Sequence, residues 1–334
     1  MAARHTARFV LFFTAAMLSS PTVRTEAQGP ATPPATAAAP STPAPAPAPP
    51  PSPVSSIRNK IAAGDLLSAE SVLEVHREKN GEDGPWLQGL AWLARGALLL
   101  GDMEKAERYA KQVRDDCARR LAKGDTLERN HDLEIALGAA IETDAQRLQR
   151  TKGKKAAAEL LRSELARYSG PTAFLSRLHK RLAMLTLEGT PAPEWVTEDF
   201  VGEPPPTLAS LRGKPVVLFL WAEGCGDCKA QAASLGRVLE RHKGSDLRCV
   251  AITRYYDDPP ARPAEKARVD SVWSAVYAGV GPIPRVISTA SMVTYGVSST
   301  PTFVFVDRKG IVRRYTPTRL TEAELERSID AISR

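Results

Sequence analysis

Two cysteines, Cys225 and Cys228, lie three positions apart in the stretch 221–229. An apolar run at 215–220 precedes this stretch and a segment with helical periodicity follows it, so the pattern predicts a strand, a tight turn and a helix that begins at the thiols. Two thiols at this spacing can close a small disulfide ring. The unpaired N–H groups and the positive dipole end of the helix favour the thiolate of the first cysteine. The chemistry open to this pair is thiol–disulfide exchange.

A Cys-x-x-Cys pair can instead bind zinc if further cysteine or histidine ligands complete the site. The chain has no second Cys-x-x-Cys and no histidine at a suitable spacing. Lys229 stands where a histidine would indicate covalent haem attachment. The sequence therefore predicts no metal and no bound cofactor, only a redox-active disulfide between Cys225 and Cys228.

The other two cysteines, Cys117 and Cys249, stand alone within apolar helix and strand patterns. Unpaired cysteine is among the most buried residue types, so we favour burial as small apolar side chains over a structural disulfide between them.

The first 27 residues have the three parts of a secretory signal peptide. Arg4 and Arg8 form a basic start, residues 9–18 form an apolar run, and small residues lead to a candidate cleavage site at 25–27. The apolar run is too short to span a bilayer comfortably, although an uncleaved membrane tether stays an alternative. We therefore expect an exported protein, in the bacterial periplasm.

Residues 28–53 are rich in proline and alanine and have too few large apolar side chains to fold. This composition predicts a disordered, semi-rigid linker.

Residues 54–188 predict an all-α domain, because apolar residues recur at helical spacing. Gly-Asp pairs at 64–65, 101–102 and 124–125 each end one predicted helix and supply a residue that can start the next. The clearest helical hairpin, residues 86–113, resembles a tetratricopeptide repeat, and a weaker copy follows at 133–168. Such hairpins offer a concave surface to a protein partner, whereas a plain helical bundle would only support the next domain. The domain boundary is expected near Gly189.

The charge pattern argues against nucleic-acid binding. The formal net charge is +7, but Lys, Arg and Glu are mixed along the predicted helices. A nucleic-acid footprint needs clustered basic residues or a known module, and the sequence has neither.

From residue 190 to 334 the pattern changes to alternating strands and helices. Buried strands are predicted at 215–221 and 247–253, and a hairpin is predicted for 302–315 around the turn at 307–310. Thr321 and Glu324 form a capping-box pattern that opens the last helix.

This part of the chain resembles the thioredoxin superfamily, and within it the TlpA-like exported thiol-disulfide oxidoreductases. The resemblance rests on four stretches: Ala-Pro-Glu-Trp at 192–195, Leu-Ala-Ser-Leu-Arg-Gly-Lys at 208–214, Trp-Ala before the Cys-Gly-Asp-Cys motif at 225–228, and Tyr-Gly-Val-Ser-Ser-Thr-Pro-Thr at 295–302. It implies a central mixed β-sheet flanked by helices.

The resemblance also implies roles for individual residues. Cys225 would attack the substrate disulfide, Cys228 would resolve the mixed disulfide, and Pro301 would be the cis-proline beside the substrate chain. The further residues expected to line the site are Trp221, Glu223, Gly226, Asp227 and Thr300, with core packing as the alternative for Trp221. Arg254, Tyr255 and Tyr256 are candidates for a loop that contacts substrate.

Three positions depart from the family pattern. Gly224 stands where many relatives have tryptophan, and Asp227 replaces the usual proline between the cysteines. Phe219 occupies the place of a buried aspartate that transfers protons in cytosolic thioredoxins, so Glu223, Asp227 or water would have to serve.

The expected function is disulfide exchange with thiols of envelope proteins, with the protein acting as a reductant that a membrane or envelope electron donor supplies. A peroxiredoxin-like peroxidase is one alternative, because that branch shares the entry pattern. A non-catalytic scaffold, with partners on the helical domain and a structural Cys225–Cys228 disulfide, is the other.

Overall fold

The computed structural model describes residues 52–168 and 173–334, which belong to one compact unit, Pro50–Arg334. The predicted signal peptide and residues 28–51 of the predicted linker lie outside the described residues. None of the helices in the described part is long and apolar enough to cross a membrane.

Six helices form the first part of the described chain. They are α1 (Pro53–Ala62), α2 (Leu66–Asn80), α3 (Gly84–Leu99), α4 (Met103–Ala122), α5 (His131–Arg167) and α6 (Ala173–Thr186). Polar side chains cap their starts: Asp65, Asp83, Asp102 and Asn130 each accept a backbone N–H of the first turn. The predicted helix breaks at the Gly-Asp pairs 64–65 and 101–102 are confirmed, whereas the next helix is capped by Asn130 and not by Asp125.

The long helix α5 reverses its direction at Gly153, which has a φ of 87°. The guanidinium of Arg114 lies 3.3 Å from the Asp144 carboxylate and 3.5 Å from the Glu164 carboxylate. A straight helix would separate Asp144 from Glu164 by about 30 Å, so the chain must fold back between them. Helical hairpins are therefore confirmed in both predicted places, and the tetratricopeptide match stays a prediction.

The second part of the chain forms a mixed sheet, as predicted, and this sheet has six strands. Its strands are β1 (Asp199–Val201), β2 (Val216–Leu220), β3 (Arg248–Thr253), β4 (Arg285–Ile287), β5 (Thr302–Val306) and β6 (Val312–Thr316), in the spatial order β1-β4-β3-β2-β5-β6. The pairs β2–β3 and β3–β4 are parallel, and the other three pairs are antiparallel. Four helices accompany the sheet: α7 (Gly226–Arg241), α8 (Arg262–Val276), α9 (Thr289–Thr294) and α10 (Glu322–Ser333).

Both faces of the sheet are covered, and alternate residues of each strand point to opposite faces. On one face, Phe219 and Phe303 pack with apolar residues of α7, α8 and α10. On the other face, Leu218 and Leu220 pack with Trp195 and with α9. Because β2 and β5 are buried at every position, the sequence of each reads as a continuous apolar run.

Helix α6 belongs to both parts of the molecule. Its first half contributes Phe174 and Leu178 to the core of the helical part, whereas Ala183 packs on the sheet together with Leu187, just beyond the helix. The structure changes from helices to the sheet near Gly189, as the sequence predicts, and α6 packs in the core of each part.

The two single cysteines occupy different cores. Cys117 is fully buried in the helical core, Cys249 of β3 is buried on the sheet face that α7, α8 and α10 cover, and both are free thiols. The predicted burial is confirmed, and a bridge between these two residues is not present.

Helix α6 packs closely against the backbone at Gly296, which has a φ of 63°. A Cβ atom here would lie 2.5 Å from the carbonyl oxygen of His179 and 2.9 Å from the Cβ of Ala183. A glycine is therefore required both by the backbone conformation and by the packing of α6.

We expect Gly296→Ala to lower the free energy of unfolding by about 3 kcal/mol, because the strain of a positive φ adds to the overlap with α6. The matched control is Gly213→Ala, since Gly213 has a φ of 86° and no atom within 4 Å of its Cβ position. That control should lose only about 1 kcal/mol. Urea denaturation of both variants measures the difference, and equal losses would contradict the α6 contact.

Candidate active site

Cys225 is the N-cap residue of α7, and its sulfur has two backbone partners. The Sγ atom accepts the backbone N–H of Cys228 at 3.1 Å, and the thiol donates to the carbonyl oxygen of Thr300 at 3.3 Å. The side chain is half-buried. The sulfur is therefore fixed at the helix start and still accessible.

The pairing of β2 with β5 brings Thr300 to this position. Leu220, the last residue of β2, pairs with Thr302, the first residue of β5. The chain enters β5 through the Thr300–Pro301 peptide bond, which is cis, and leaves β2 through the turn that carries Cys225. Two segments that are 75 residues apart in sequence thus meet at one end of the sheet.

Cys228 lies one turn into α7 and is fully buried. Burial, together with a hydrogen bond to the neighbouring Cys225 thiol, raises the pKa of its thiol to about 12. Burial likewise raises the pKa of Cys117 and of Cys249 to about 12. Cys225 lines the cavity that the segment 297–300 also lines, whereas Cys249 lines a separate cavity beside the segment 278–283.

A cavity of about 410 Å³ lies over the Cys225 sulfur. The turn 222–225 and the segment 297–300 form part of its wall. Arg254, Tyr256 and Asp257 from the loop after β3, together with Glu265 of α8 and Ser176 of α6, complete it. The helical part of the chain therefore contributes directly to the surroundings of the redox pair.

The structure brings some of the predicted site residues together and excludes others. Glu223 and Thr300 line the cavity, and Pro301 is buried directly after Thr300. Gly226 and Asp227 are exposed on the first turn of α7 and do not line the cavity. The Asp227 carboxylate instead lies 3.5 Å from the guanidinium of Arg319.

Trp221 requires a correction, because it does not line the site. Its side chain is fully buried, with its ring 5.2 Å from that of Trp273 and 5.0 Å from that of Tyr277. The apolar face of the sheet continues through this residue, so Trp221 supports the Cys225 turn from within the core.

Of the three loop residues predicted to contact substrate, two line the cavity and one does not. Arg254 and Tyr256 line the cavity, whereas the Tyr255 hydroxyl donates to the Asp199 carboxylate at 2.6 Å and is absent from the cavity wall. Phe219 is a fully buried apolar core residue, so this position supplies no carboxylate for proton transfer.

Glu265 is a site residue that sequence reasoning missed. It is fully buried, yet it lines the cavity. Its two carboxylate oxygens accept the backbone N–H groups of Tyr256 at 2.7 Å and of Asp257 at 3.1 Å. Nothing in the sequence distinguishes this glutamate from the exposed charges that α8 also carries.

Arg268 lies in α8 one helical turn after Glu265, and it joins the Cys225 turn to the 254–257 loop. Its guanidinium lies 3.1 Å from the Glu223 carboxylate and 2.6 Å from the Asp257 carboxylate. Glu223 is therefore ion-paired, and α8 holds both the Cys225 turn and the 254–257 loop in place.

Within the described residues, one cluster has three side chains arranged to hold a metal ion: His242, Glu326 and Asp330. Glu326 already pairs with Arg241 and with His242, and the cluster contains neither Cys225 nor Cys228.

Comparison with known proteins gives matches to the second part of the chain. Residues 207–333 match the family described as a thioredoxin-like domain. A thioredoxin-like protein of Bacillus subtilis, YneN, is 25% identical over 178 residues, which are 53% of this chain and 98% of that protein.

Two solved structures are also similar to this chain. One is a thiol:disulfide interchange protein of the thioredoxin family from Chlorobium tepidum, at 18% identity and a TM-score of 0.37, over 44% of this chain and 98% of that one. The other is a secreted Mycobacterium tuberculosis disulfide oxidoreductase, at 23% identity and a TM-score of 0.30, over 37% of this chain and 85% of that one.

We expect iodoacetamide at pH 8 to modify Cys225 in the reduced, native protein at least about 100-fold faster than Cys228. With a pKa of about 12, Cys228 is almost entirely the unreactive thiol at pH 8. Its rate should rise about tenfold per pH unit as the pH approaches that pKa from below. Mass spectrometry of tryptic peptides measures each site.

Denatured protein is the control, because all four cysteines should then react at similar rates. Native labelling of Cys228 as fast as Cys225 would show that the burial of Cys228 does not protect it.

Proposed function

We propose that this chain, whose C-terminal part is a thioredoxin-like domain, is a thiol-disulfide oxidoreductase that acts through Cys225 and Cys228. The observation that carries the proposal is the asymmetry of the pair. The Cys225 sulfur is fixed at a helix start and opens on a cavity, whereas the Cys228 sulfur is buried behind it.

This asymmetry assigns a role to each sulfur. The Cys225 thiolate attacks one sulfur of a substrate disulfide, and the other substrate sulfur leaves as a thiolate that takes up a proton. Cys228 then loses its proton and attacks the Cys225 sulfur. The Cys225–Cys228 disulfide closes, the second substrate thiol is released, and two electrons have passed from the dithiol to the substrate.

The burial of Cys228 ensures that Cys225 reacts with the substrate first. At neutral pH its raised pKa holds it as a thiol, so it does not compete with Cys225 for substrate. It becomes the attacking sulfur only when the mixed disulfide lies one helical turn away. With Phe219 in the core and Glu223 paired to Arg268, the proton passes to solvent or to the leaving sulfur.

The proposal includes export and the reducing direction. Export rests on the signal-peptide pattern of the first 27 residues. The reducing direction rests on the Cys-Gly-Asp-Cys motif, in which a carboxylate replaces the proline usual between the two cysteines. We therefore propose a reductant of envelope protein disulfides that a membrane or envelope electron donor supplies.

The helical part has a proposed role beyond support. Since Ser176 of α6 lines the cavity, a substrate at Cys225 lies against the helical part as well as the thioredoxin-like domain. A protein partner bound by the helical hairpins would be held next to the redox pair.

We expect Cys225→Ser to lower the rate of reduction of a model disulfide by at least about 1,000-fold, because a serine hydroxyl cannot form the mixed disulfide. Cys228→Ser should form the mixed disulfide and fail to resolve it, so that a covalent adduct accumulates. Reductase kinetics and non-reducing electrophoresis measure the two effects.

Cys117→Ala is the matched control, since Cys117 lies in the helical core and takes no part in the exchange. It should retain the activity of the unmodified protein. A Cys225→Ser variant with full activity would rule out the proposed mechanism.

A further inference from the structure

The guanidinium of Arg254 lines the cavity over Cys225 without an ionic partner. It lies over the ring of Tyr256, 4.7 Å from the ring centroid. Within residues 52–168 and 173–334, no carboxylate lies within ion-pair distance of it. It shares a side-chain hydrogen bond with Tyr256, which leaves most of its five N–H donors available. Stacking on a ring leaves the in-plane N–H donors of a guanidinium available.

The acidic groups around the same cavity are all engaged. Arg268 pairs with Glu223 and with Asp257, and the buried Glu265 accepts two backbone N–H groups. These three carboxylates outnumber the guanidinium groups of Arg254 and Arg268 by one charge. The cavity as a whole therefore does not attract anions from a distance, and any preference for an anion must come from direct contact with Arg254.

The loop that carries Arg254 is held before substrate arrives. Arg254 directly follows Thr253, the last residue of β3. Three residues further on, the loop is anchored to α8 by Glu265 and by Arg268. A donor group held in advance loses little conformational entropy when it binds a ligand.

We propose that Arg254 binds a carboxylate that lies next to the disulfide that Cys225 attacks. This inference rests on the proposed function, since it names the substrate class of the same site. A planar guanidinium matches the two oxygens of a carboxylate better than other donors do. The cavity volume of about 410 Å³ is at the small end of ligand sites, so the carboxylate must lie within about one residue of the cysteine.

This chemistry has two possible sources. One is an aspartate or glutamate adjacent to a cysteine in a flexible protein segment, and the other is a small disulfide that carries its own carboxylates. The specificity test therefore includes both kinds of substrate.

The test compares the kcat/KM of matched peptide disulfides in which Asp, Asn or Lys precedes the cysteine. The native protein should reduce the Asp peptide about 10-fold faster than the Asn peptide, and the Lys peptide more slowly still. In Arg254→Gln the ratio of Asp to Asn should fall to about one, mainly through KM. Because the ratio is taken within one preparation, it does not depend on the fraction of folded protein.

Arg262→Gln is the matched control. It removes the same charge, and its guanidinium stacks on Tyr255 at 5.5 Å, but Arg262 does not line the cavity. The Asp preference should persist in this variant. A second arm compares glutathione disulfide with its tetraethyl ester, and a preference for the free acid that Arg254→Gln removes would support a small acidic disulfide as the source.

The negative outcomes distinguish a failure of the role of Arg254 from a failure of the proposed function. A native protein that reduces all substrates without preference for a carboxylate would overturn the role of Arg254 and leave the proposed function intact. A preference that persists in Arg254→Gln would overturn it too, because another group would then be responsible. A native protein that reduces no disulfide would overturn the proposed function, and this inference with it.

Discussion

The contact between the Cys225 thiol and the Thr300 carbonyl, at 3.3 Å, is the geometric constraint on which the site depends. It exists because β2 and β5 are adjacent and antiparallel, with Leu220 opposite Thr302. Every residue of both strands is buried, so a shift of register by one residue would exchange two fully packed faces. The burial of the central strands therefore fixes where the redox sulfur meets its backbone partner, although neither strand supplies a reactive side chain.

Helix α8 adds a second layer of constraint. Glu265 fixes the backbone of the loop after β3, and Arg268 ties that loop to Glu223 beside the Cys225 turn. Because these bonds engage the acidic groups of the cavity, Arg254 is left without a carboxylate among the residues that the structure describes. Rigidity and selectivity thus have the same origin: the contacts that hold the loop are also the ones that leave Arg254 available.

The sequence predicted the features that depend on short-range patterns. The central strands, the helix start at Cys225, the hairpin after Pro301 and the caps at Asp65 and Asp102 follow from local periodicity and local hydrogen bonding. Glu265 and Ser176 could not be found in this way, since their place at the cavity comes from tertiary packing of α8 and α6. Trp221 was placed at the site by its closeness in sequence to Cys225, but alternation along the sheet directs its side chain into the core.

The shared helix α6 explains why the helical part and the redox part are not separable by a cut near Gly189. Phe174 and Leu178 are packed in one core, and Ala183 is packed in the other. Removal of the helical part would expose the face of the sheet around Ala183 and leave the backbone at Gly296 without the helix that packs against it. That backbone continues directly into the segment 297–300, which carries Thr300 to Cys225. The helical part is therefore a structural component of the active site, because its last helix fixes the segment that completes the environment of the reactive sulfur.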